Sequence, residues 1–590
     1  MRKIFFIVIL CALASAVHAV PAKPGWQTYT QGDGTTIELQ LVGDEYYHYM
    51  INREGQQVHL NADGMYVAAG QAPTRQQARA RRAYNKVRRV RKEFGVTPNL
   101  APRGIVIMVN YTDKAFQANH TNEVIDSLCN AEDCQVNEYY GTRYPSARTY
   151  FKDQSNGEYA PVFDVYGPVT LSRKGAYYGE NDVAGNDARA ANMIVEACKT
   201  ADKELGVDFT QYDSDNDGKV DFVYVIYAGK GEASGGSATT IWPHSYSITE
   251  QLEMEEYYTD YPEEFYAEYG AEFVPYFTPE YSLSDCYVDG KMINTYACSN
   301  ELSDSGLDGI GTLCHEFGHV MGLPDFYDIY YGYNDEHKLT PGKWDVMDGG
   351  AYNGGGHCPP NYNAWEKYFF GWHTPVNPGS EPARLQLTAD GQDSYQAYQI
   401  TDADQLTGPT DSLKNNASVY YIENRQKQGW DSYLPGHGLI AWKVNYSKTA
   451  WQENAPNSED RKPRFTVAQV SGSWDKIAAK PLKDITEKNG VVSLVYISEP
   501  PFKVTWMANG EVLEVAEYAA DGSQVLVAPK KEVVPCEDGT MLYGWTVLYP
   551  NWADPFDFPP DMDKCFGEKV TEDLTIHAVF SEIPLPCCEE

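Results

Sequence analysis

Two histidines four residues apart, with a glutamate beside the first, lie in the stretch Leu313-Cys314-His315-Glu316-Phe317-Gly318-His319-Val320-Met321-Gly322-Leu323-Pro324-Asp325. On a helix such positions share one face, so the imidazoles of His315 and His319 can converge on a single tetrahedral zinc ion. Glu316 then sits beside the metal. Its carboxylate can take a proton from a water that the metal acidifies and later deliver it to a leaving amine, which is the chemistry of peptide-bond hydrolysis. Gly322 ends or sharply turns the helix, letting Asp325 fold back as a third, oxygen ligand and leaving the fourth position to water. Asp328 and Glu366 are rival third ligands. Glu366 belongs to the helical-looking Asn363-Ala364-Trp365-Glu366-Lys367, and a glutamate from a later helix completes some zinc sites.

A second ion site is suggested by Asp213-Ser214-Asp215-Asn216-Asp217-Gly218-Lys219-Val220-Asp221. Acids at alternate positions followed by glycine gather hard oxygens around one point, which suits calcium. Tyr224 stands where an EF-hand loop needs its bidentate glutamate, so the loop is not an EF-hand. The expectation is a structural calcium ion bound by Asp213, Asp215, Asp217 and either Asp221 or Glu232; the competing reading is a metal-free Asx-rich turn.

The helix that presents the histidines needs a buried side, and Ile310, Leu313, Cys314, Phe317, Val320 and Met321 supply it, which makes Cys314 a core residue rather than a ligand. The apolar runs Ile105 to Val109 and Phe222 to Ala228 read as buried strands, and a turn is expected at Trp344-Asp345-Val346-Met347-Asp348-Gly349-Gly350. From Glu250 to Asp285 there are eleven acids and no base, which reads as an exposed insertion. Residues 20 to about 70 alternate apolar and polar as in a small β-rich unit, and nine Arg or Lys residues crowd 75–92, a solvated basic helix or a protease-sensitive connector. Short strands return from about 380 to 500, and Pro500-Pro501 separates them from a last strand-rich stretch.

A chain of 590 residues with 47 basic and 83 acidic residues, formally -36, exceeds one core and disfavours nucleic acid or an anionic membrane as partner. Met1-Arg2-Lys3, the apolar run from Ile4 to Ala16 and Val17-His18-Ala19 have the parts of a secretory leader, and no later stretch is long and apolar enough for a membrane span. Cys11 comes too early in that run for a lipid anchor. Without the leader eleven cysteines remain, so one thiol is unpaired in a monomer; Cys129 with Cys134, and Cys536 with Cys565, are spaced for disulfides whose connectivity stays open. The expected organisation is a leader at 1–19, a segment at 20–102, a zinc-site domain at 103–378, a β-rich accessory domain at 379–500 and a small β module at 501–590.

His315-Glu316-Phe317-Gly318-His319 with Gly322-Leu323-Pro324-Asp325-Phe326-Tyr327-Asp328 resembles the immune inhibitor A family of secreted bacterial zinc metallopeptidases. Ala228-Gly229-Lys230-Gly231-Glu232 and Ile241-Trp242-Pro243-His244 are similar to that family too, so the resemblance spans roughly 100 to 375. It implies an α+β, metzincin-like zincin catalytic domain, a mixed sheet plus active-site helix, with an N-terminal pro-segment and β-rich C-terminal domains. It also implies a zymogen, protein or peptide substrates, and Met347 as the methionine of the turn beneath the zinc. Many metzincins have histidine at the position of Asp325. Tyr352, five residues after Met347, is a candidate donor to the tetrahedral oxyanion, with an exposed loop tyrosine as the alternative, and His244 and His357 are similarly ambiguous. Residues 20–102 then look like the inhibitory pro-segment. Their 11 basic and 7 acidic residues give +4, complementary to the acidic remainder, and they contain no cysteine to bind zinc, which leaves a carboxylate or blockage of the cleft. Phe502-Lys503-Val504-Thr505-Trp506 through Leu574-Thr575 resembles the small β repeat of internalin-type surface proteins, a spacer or a cell-surface contact. The alternative function is a surface binding or adhesion protein with a structural or inactive zinc site.

Overall fold

The structure is a computed structural model. It describes residues 20–74, 98–132, 138–181, 187–249, 280–328, 340–379, 382–389, 395–401, 408–411, 418–457, 463–475, 480–496, 502–518, 525–533, 541–547 and 569–581, less a few single positions within them, together with 77 and 252. The leader, all of the Arg-rich run but Gln77, most of the acidic insertion, and Cys134, Cys536, Cys565, Cys587 and Cys588 lie outside the described residues. The six described cysteines are free and buried, Cys129 among them, so Cys129 does not close a disulfide loop.

The first strands form an antiparallel meander in chain order: β1 (Gln27–Thr30), β2 (Thr36–Asp44), β3 (Tyr47–Ile51), β4 (Gln56–Leu60) and β5 (Tyr66–Gln71). Alternation along β2 buries Leu39 and Leu41, as a two-residue side-chain period requires.

A mixed sheet follows. In chain order come β6 (Arg103–Asn110), α1 (Asn122–Asn130), the hairpin β7 (Glu138–Tyr139) and β8 (Thr142–Arg143), α2 (Ala147–Gln154), β9 (Val162–Thr170), α3 (Gly175–Tyr178), α4 (Ala190–Leu205), β10 (Val223–Lys230), β11 (His244–Ser247), the hairpin β12 (Tyr287–Val288) and β13 (Lys291–Met292), β14 (Thr295–Ser303), β15 (Gly306–Leu307), α5 (Gly311–Val320) and α6 (Ala364–Phe369). The strand order is β11-β14-β10-β6-β9; the last four are parallel, β11 is antiparallel and β15 folds back on β14. Apolar runs suit parallel strands because both faces are covered. Val106, Met108, Tyr224 and Ile226 face α1, α2 and α5, whereas Ile105, Ile107, Val109, Val223 and Val225 face α4. Phe317 of α5 meets Phe151, Phe163 and Phe222 edge-on at 5.1, 5.3 and 5.1 Å, which fixes the helix on the sheet.

The chain divides into two compact units: Met1–Val376 with Leu387–Gln399 and Ala403–Gln469, and Asn377–Gln386 with Ile400–Asp402 and Val470–Glu590. Strands β17 (Tyr398–Ile400), β18 (Val419–Arg425), β19 (Gly438–Val444) and β20 (Phe465–Val470), after β16 (Ala383–Leu387), form one sheet, with α7 (Lys448–Gln452) between the last two. Tyr421, Trp442 and Phe465 share a core with Phe326 and Trp365, and Phe465 stacks flat on Phe326 at 3.9 Å. The change to short strands near residue 380 is therefore not a change of core. In the second unit β16 pairs with β23 (Val491–Tyr496), which pairs with β22 (Leu482–Lys488) and through it with β21 (Gly472–Trp474). The terminal sheet orders β25 (Glu511–Tyr518), β24 (Phe502–Ala508), β27 (Leu574–Ser581) and β26 (Met541–Val547) around Val504, Trp506, Tyr518, Leu526, Val570 and Ile576. No helix among the described residues is long and apolar enough to cross a membrane.

Candidate metal centre

Every residue of α5 is buried. His315 and His319 project from one face with their Nε2 atoms 3.1 Å apart, and Asp325 Oδ1 lies 3.1 and 3.3 Å from them. The Nδ1 atoms face backbone carbonyls, His315 on Val346 at 2.7 Å and His319 on Leu323 at 2.8 Å. A carbonyl can only accept, so each Nδ1 carries the hydrogen and each Nε2 turns a lone pair inward. Burial pushes the pKa of His319 down, favouring the neutral ligand form. Two imidazole lone pairs and a carboxylate oxygen this close repel one another unless a cation lies between them, and the mixed nitrogen and oxygen donors suit zinc. Asp328 is buried but outside this cluster. Glu366 instead caps α6. Its Oε2 accepts from Asn363 N and Nδ2, both at 2.8 Å, and burial drives its pKa well up. Of the three candidate carboxylates, the structure brings Asp325 to the histidines.

Two glycines make this geometry possible. A Cβ on Gly318 would meet Met347 Sδ at 2.6 Å, so only glycine lets the methionine pack directly under the helix. Gly322, at φ +105°, takes a conformation that side chains disfavour and turns the chain so that Leu323 N reaches Gly318 O and Leu323 O reaches His319. The turn carrying Met347 also holds the site from below, since Val346 O accepts from His315 and Met347 O from Phe326 N. It is braced by Asp345, whose carboxylate accepts from Met347 N and Asn363 Nδ2 and whose pKa burial pushes up to about 7.

Sequence reading missed the residue that grips Asp325. Asn454 Oδ1 accepts from Asp325 N, and its Nδ2 donates to Asp325 Oδ2, both at 2.6 Å. Asn457 ties the same loop down by donating to Phe326 O and Phe465 O. Nothing local marks their hold on this loop, because Asp325 and Phe326 lie over a hundred residues away.

Glu316 faces the start of the described chain. Val20 N–H donates to its Oε1 at 3.1 Å, Trp242 Nε1 donates to Val20 O at 3.0 Å, and Tyr352 OH donates to Pro21 O at 2.7 Å. Ala22 N and Lys23 N continue the track onto Gly43 O and Ala233 O. Val20 and Ala22 are buried among Leu41, Ala233, Trp242 and Ala351. Tyr352 thus reaches a peptide carbonyl near Glu316. His244 is engaged elsewhere, between Trp242 O and Tyr296 OH, and His357 stacks on Tyr144 with its pKa pushed down to about 4 by burial.

In the aspartate loop, Asp213, Asp215 and Asp217 gather within ligand reach of one another. Asp221 instead accepts from Ser214 N, and Glu232 lies across from His48 rather than in the loop.

Comparison with known proteins gives the same direction. Residues 105–276 and 285–374 match the family described as immune inhibitor A peptidase M6, catalytic domain. Immune inhibitor A of Bacillus thuringiensis subsp. alesti is 26% identical over 253 residues, 39% of this chain and 32% of that protein. The pre-pro-metalloprotease PrtV of Vibrio cholerae serotype O1 (strain M66-2) is 24% identical over 249 residues, 39% of this chain and 24% of that protein. These two matches span about a third and a quarter of the lengths of the relatives, and the family match, to a peptidase catalytic domain, falls on the mixed sheet and α5.

Proposed function

We propose that the protein is a secreted, zinc-dependent endopeptidase of extracellular or host proteins, made as a latent zymogen. The observation that carries this reading is a three-ligand cluster with a glutamate beside it whose carboxylate already faces a peptide nitrogen. Zinc held by His315, His319 and Asp325 would polarise the scissile carbonyl and acidify the attacking water. Glu316 takes the proton from that water and gives it to the departing amine, the position at which Val20 N–H now donates. Tyr352 donates to a carbonyl oxygen across the cleft, as it does to Pro21 O. Latency follows from the same contacts, with main chain from residues 20–23 lying where a substrate would lie. If the leader ends at Ala19, Val20 becomes the first residue of the exported chain. Its burial contributes about 1.5–3 kcal/mol to holding the segment in place.

The test uses residues 20–590, with zinc measured by elemental analysis and casein cleavage followed before and after a limited tryptic nick in the 75–92 run. About one zinc per chain and activity that appears on nicking are expected. A zinc-loaded, nicked protein that cleaves no unfolded substrate would instead leave a structural zinc site and a binding role.

A structural calcium ion at Asp213, Asp215 and Asp217 completes the reading. The Asp213 side chain is fully enclosed and its Oδ1 has no partner among the described residues, while Lys291 Nζ at 2.5 Å from Oδ2 holds the carboxyl below its usual range. A cation on Oδ1 would satisfy it. Calcium at 100 times its Kd is expected to stabilise the fold by about 2.7 kcal/mol, read as a raised melting temperature that Asp213→Asn abolishes. An unmoved transition in the parent would count against the ion.

A further inference from the structure

His48 of β3 joins the N-terminal meander to the zinc-site region, and both of its ring nitrogens face oxygen. Nδ1 lies 3.1 Å from Asp44 O, and Nε2 lies 3.2 Å from Glu232 Oε1. Neither a carbonyl nor a carboxylate has a hydrogen to give, so the ring satisfies both only by donating from both nitrogens, which makes it an imidazolium. It is enclosed, with the His48 and Glu232 side chains 11% and 8% exposed. The ring lies over Trp242 at 4.5 Å, and that indole holds Val20 O while Val20 N–H holds Glu316. Among the described residues, Asn181 Nδ2 also donates to Glu232 Oε2 at 3.4 Å, and Asp187 accepts from Trp242 N. The charged groups that act on the imidazole from the neighbouring elements, Glu232 and Asp187, are both acidic, while the Asp44 carboxylate accepts from Tyr47 N.

We propose that His48 is a proton-dependent clasp: held as an imidazolium between Asp44 and Glu232 it keeps the N-terminal segment in the cleft, and loss of its proton loosens that segment. This rests on the reading of residues 20–74 as a removable inhibitory segment. Docking is then coupled to proton uptake. Burial alone would push the pKa of His48 down, but the Glu232 carboxylate, its hydrogen bond, the Asp44 carbonyl and Asp187 outweigh it, so the net direction is up from 6.5. A raised pKa in the docked state gives a stabilisation fully present below pH 6.5 and lost as pH rises through the docked value. A nick in the connector would therefore free the cleft more readily in alkaline than in acidic surroundings.

The experiment nicks the folded 20–590 chain, with zinc bound, in the 75–92 run, and measures the fraction of segment retained by size-exclusion chromatography from pH 5.5 to pH 9. Retention in the parent is expected to weaken by up to about tenfold per pH unit above pH 6.5, the slope of one linked proton. His48→Gln and Glu232→Gln are each expected to flatten that slope to less than about twofold per unit, since neither leaves an imidazolium hydrogen-bonded to a carboxylate. Retention in the parent that is independent of pH or rises with it, or a slope in both variants as steep as the parent's, overturns the clasp. The readout does not depend on catalysis. A nicked protein that releases its segment as described but hydrolyses nothing would defeat the peptidase reading and leave the clasp standing.

Discussion

A Glu316→Gln chain that binds zinc and is nicked like its parent is expected to hydrolyse peptide bonds roughly 10²–10⁴-fold more slowly. Glutamine keeps the shape of the side chain and can still accept the Val20 hydrogen bond, so packing of α5, ligand geometry and the docked segment should be undisturbed. What is lost is a basic oxygen able to take one proton and return it to the amine. The loss should therefore appear in kcat on a peptide substrate, with zinc content unchanged. A variant within about threefold of the parent would remove Glu316 from the proton-transfer role.

The largest stability effect is expected away from the candidate metal centre. Arg425 at the end of β18 is fully buried, with Nε and Nη2 on the two oxygens of Asp431 at 2.6 and 2.5 Å, Nη1 on Glu423 at 3.2 Å and Nη2 also on Asn361 O at 3.0 Å. Glu423 also accepts from Trp442 and Tyr395, and Asp431 from Asn361 N. Removing the guanidinium strands carboxylates already out of water, and breaking a buried pair in this way costs about 3–5 kcal/mol. Arg425→Met is expected to lower the stability of the first unit by that amount, read from its denaturant midpoint. A change below about 1 kcal/mol would show that the carboxylates find protons or water in its place. Asn361 and Asn363 lie between the methionine turn and α6, so the damage should reach the candidate metal centre as weakened metal retention.

The centre was legible where its signal is local. Helical spacing brought His315, Glu316 and His319 together, and the glycine at 322 announced the turn that returns Asp325. The aspartate loop was visible for the same reason, its alternation being a property of nine consecutive residues. The turn at Gly322 favoured Asp325 over Asp328 and Glu366, but all three are carboxylates at workable spacings, and that Glu366 caps α6 instead could not be read from the sequence. The grip of Asn454 on Asp325, 129 residues away, and the contact of Val20 with Glu316, 296 residues away, left no trace in periodicity or composition. The strands of the mixed sheet were readable as apolar runs. That β18 to β20 share their core was not, since alternation says which side chains point inward and not what they meet.

The hold of Asn454 and Asn457 on the loop after Gly322 sets a time order on the polypeptide. A chain still being synthesised displays both histidines of α5 well before the asparagines that pin Asp325 and Phe326 exist as folded partners. Until α7 and β20 have arrived, the third ligand hangs on an untethered loop and the two imidazoles lack a fixed companion. On the proposed reading, the unfinished molecule is thus poorly equipped to capture metal, and a competent centre forms only after Asn454 and Asn457 have folded onto the loop.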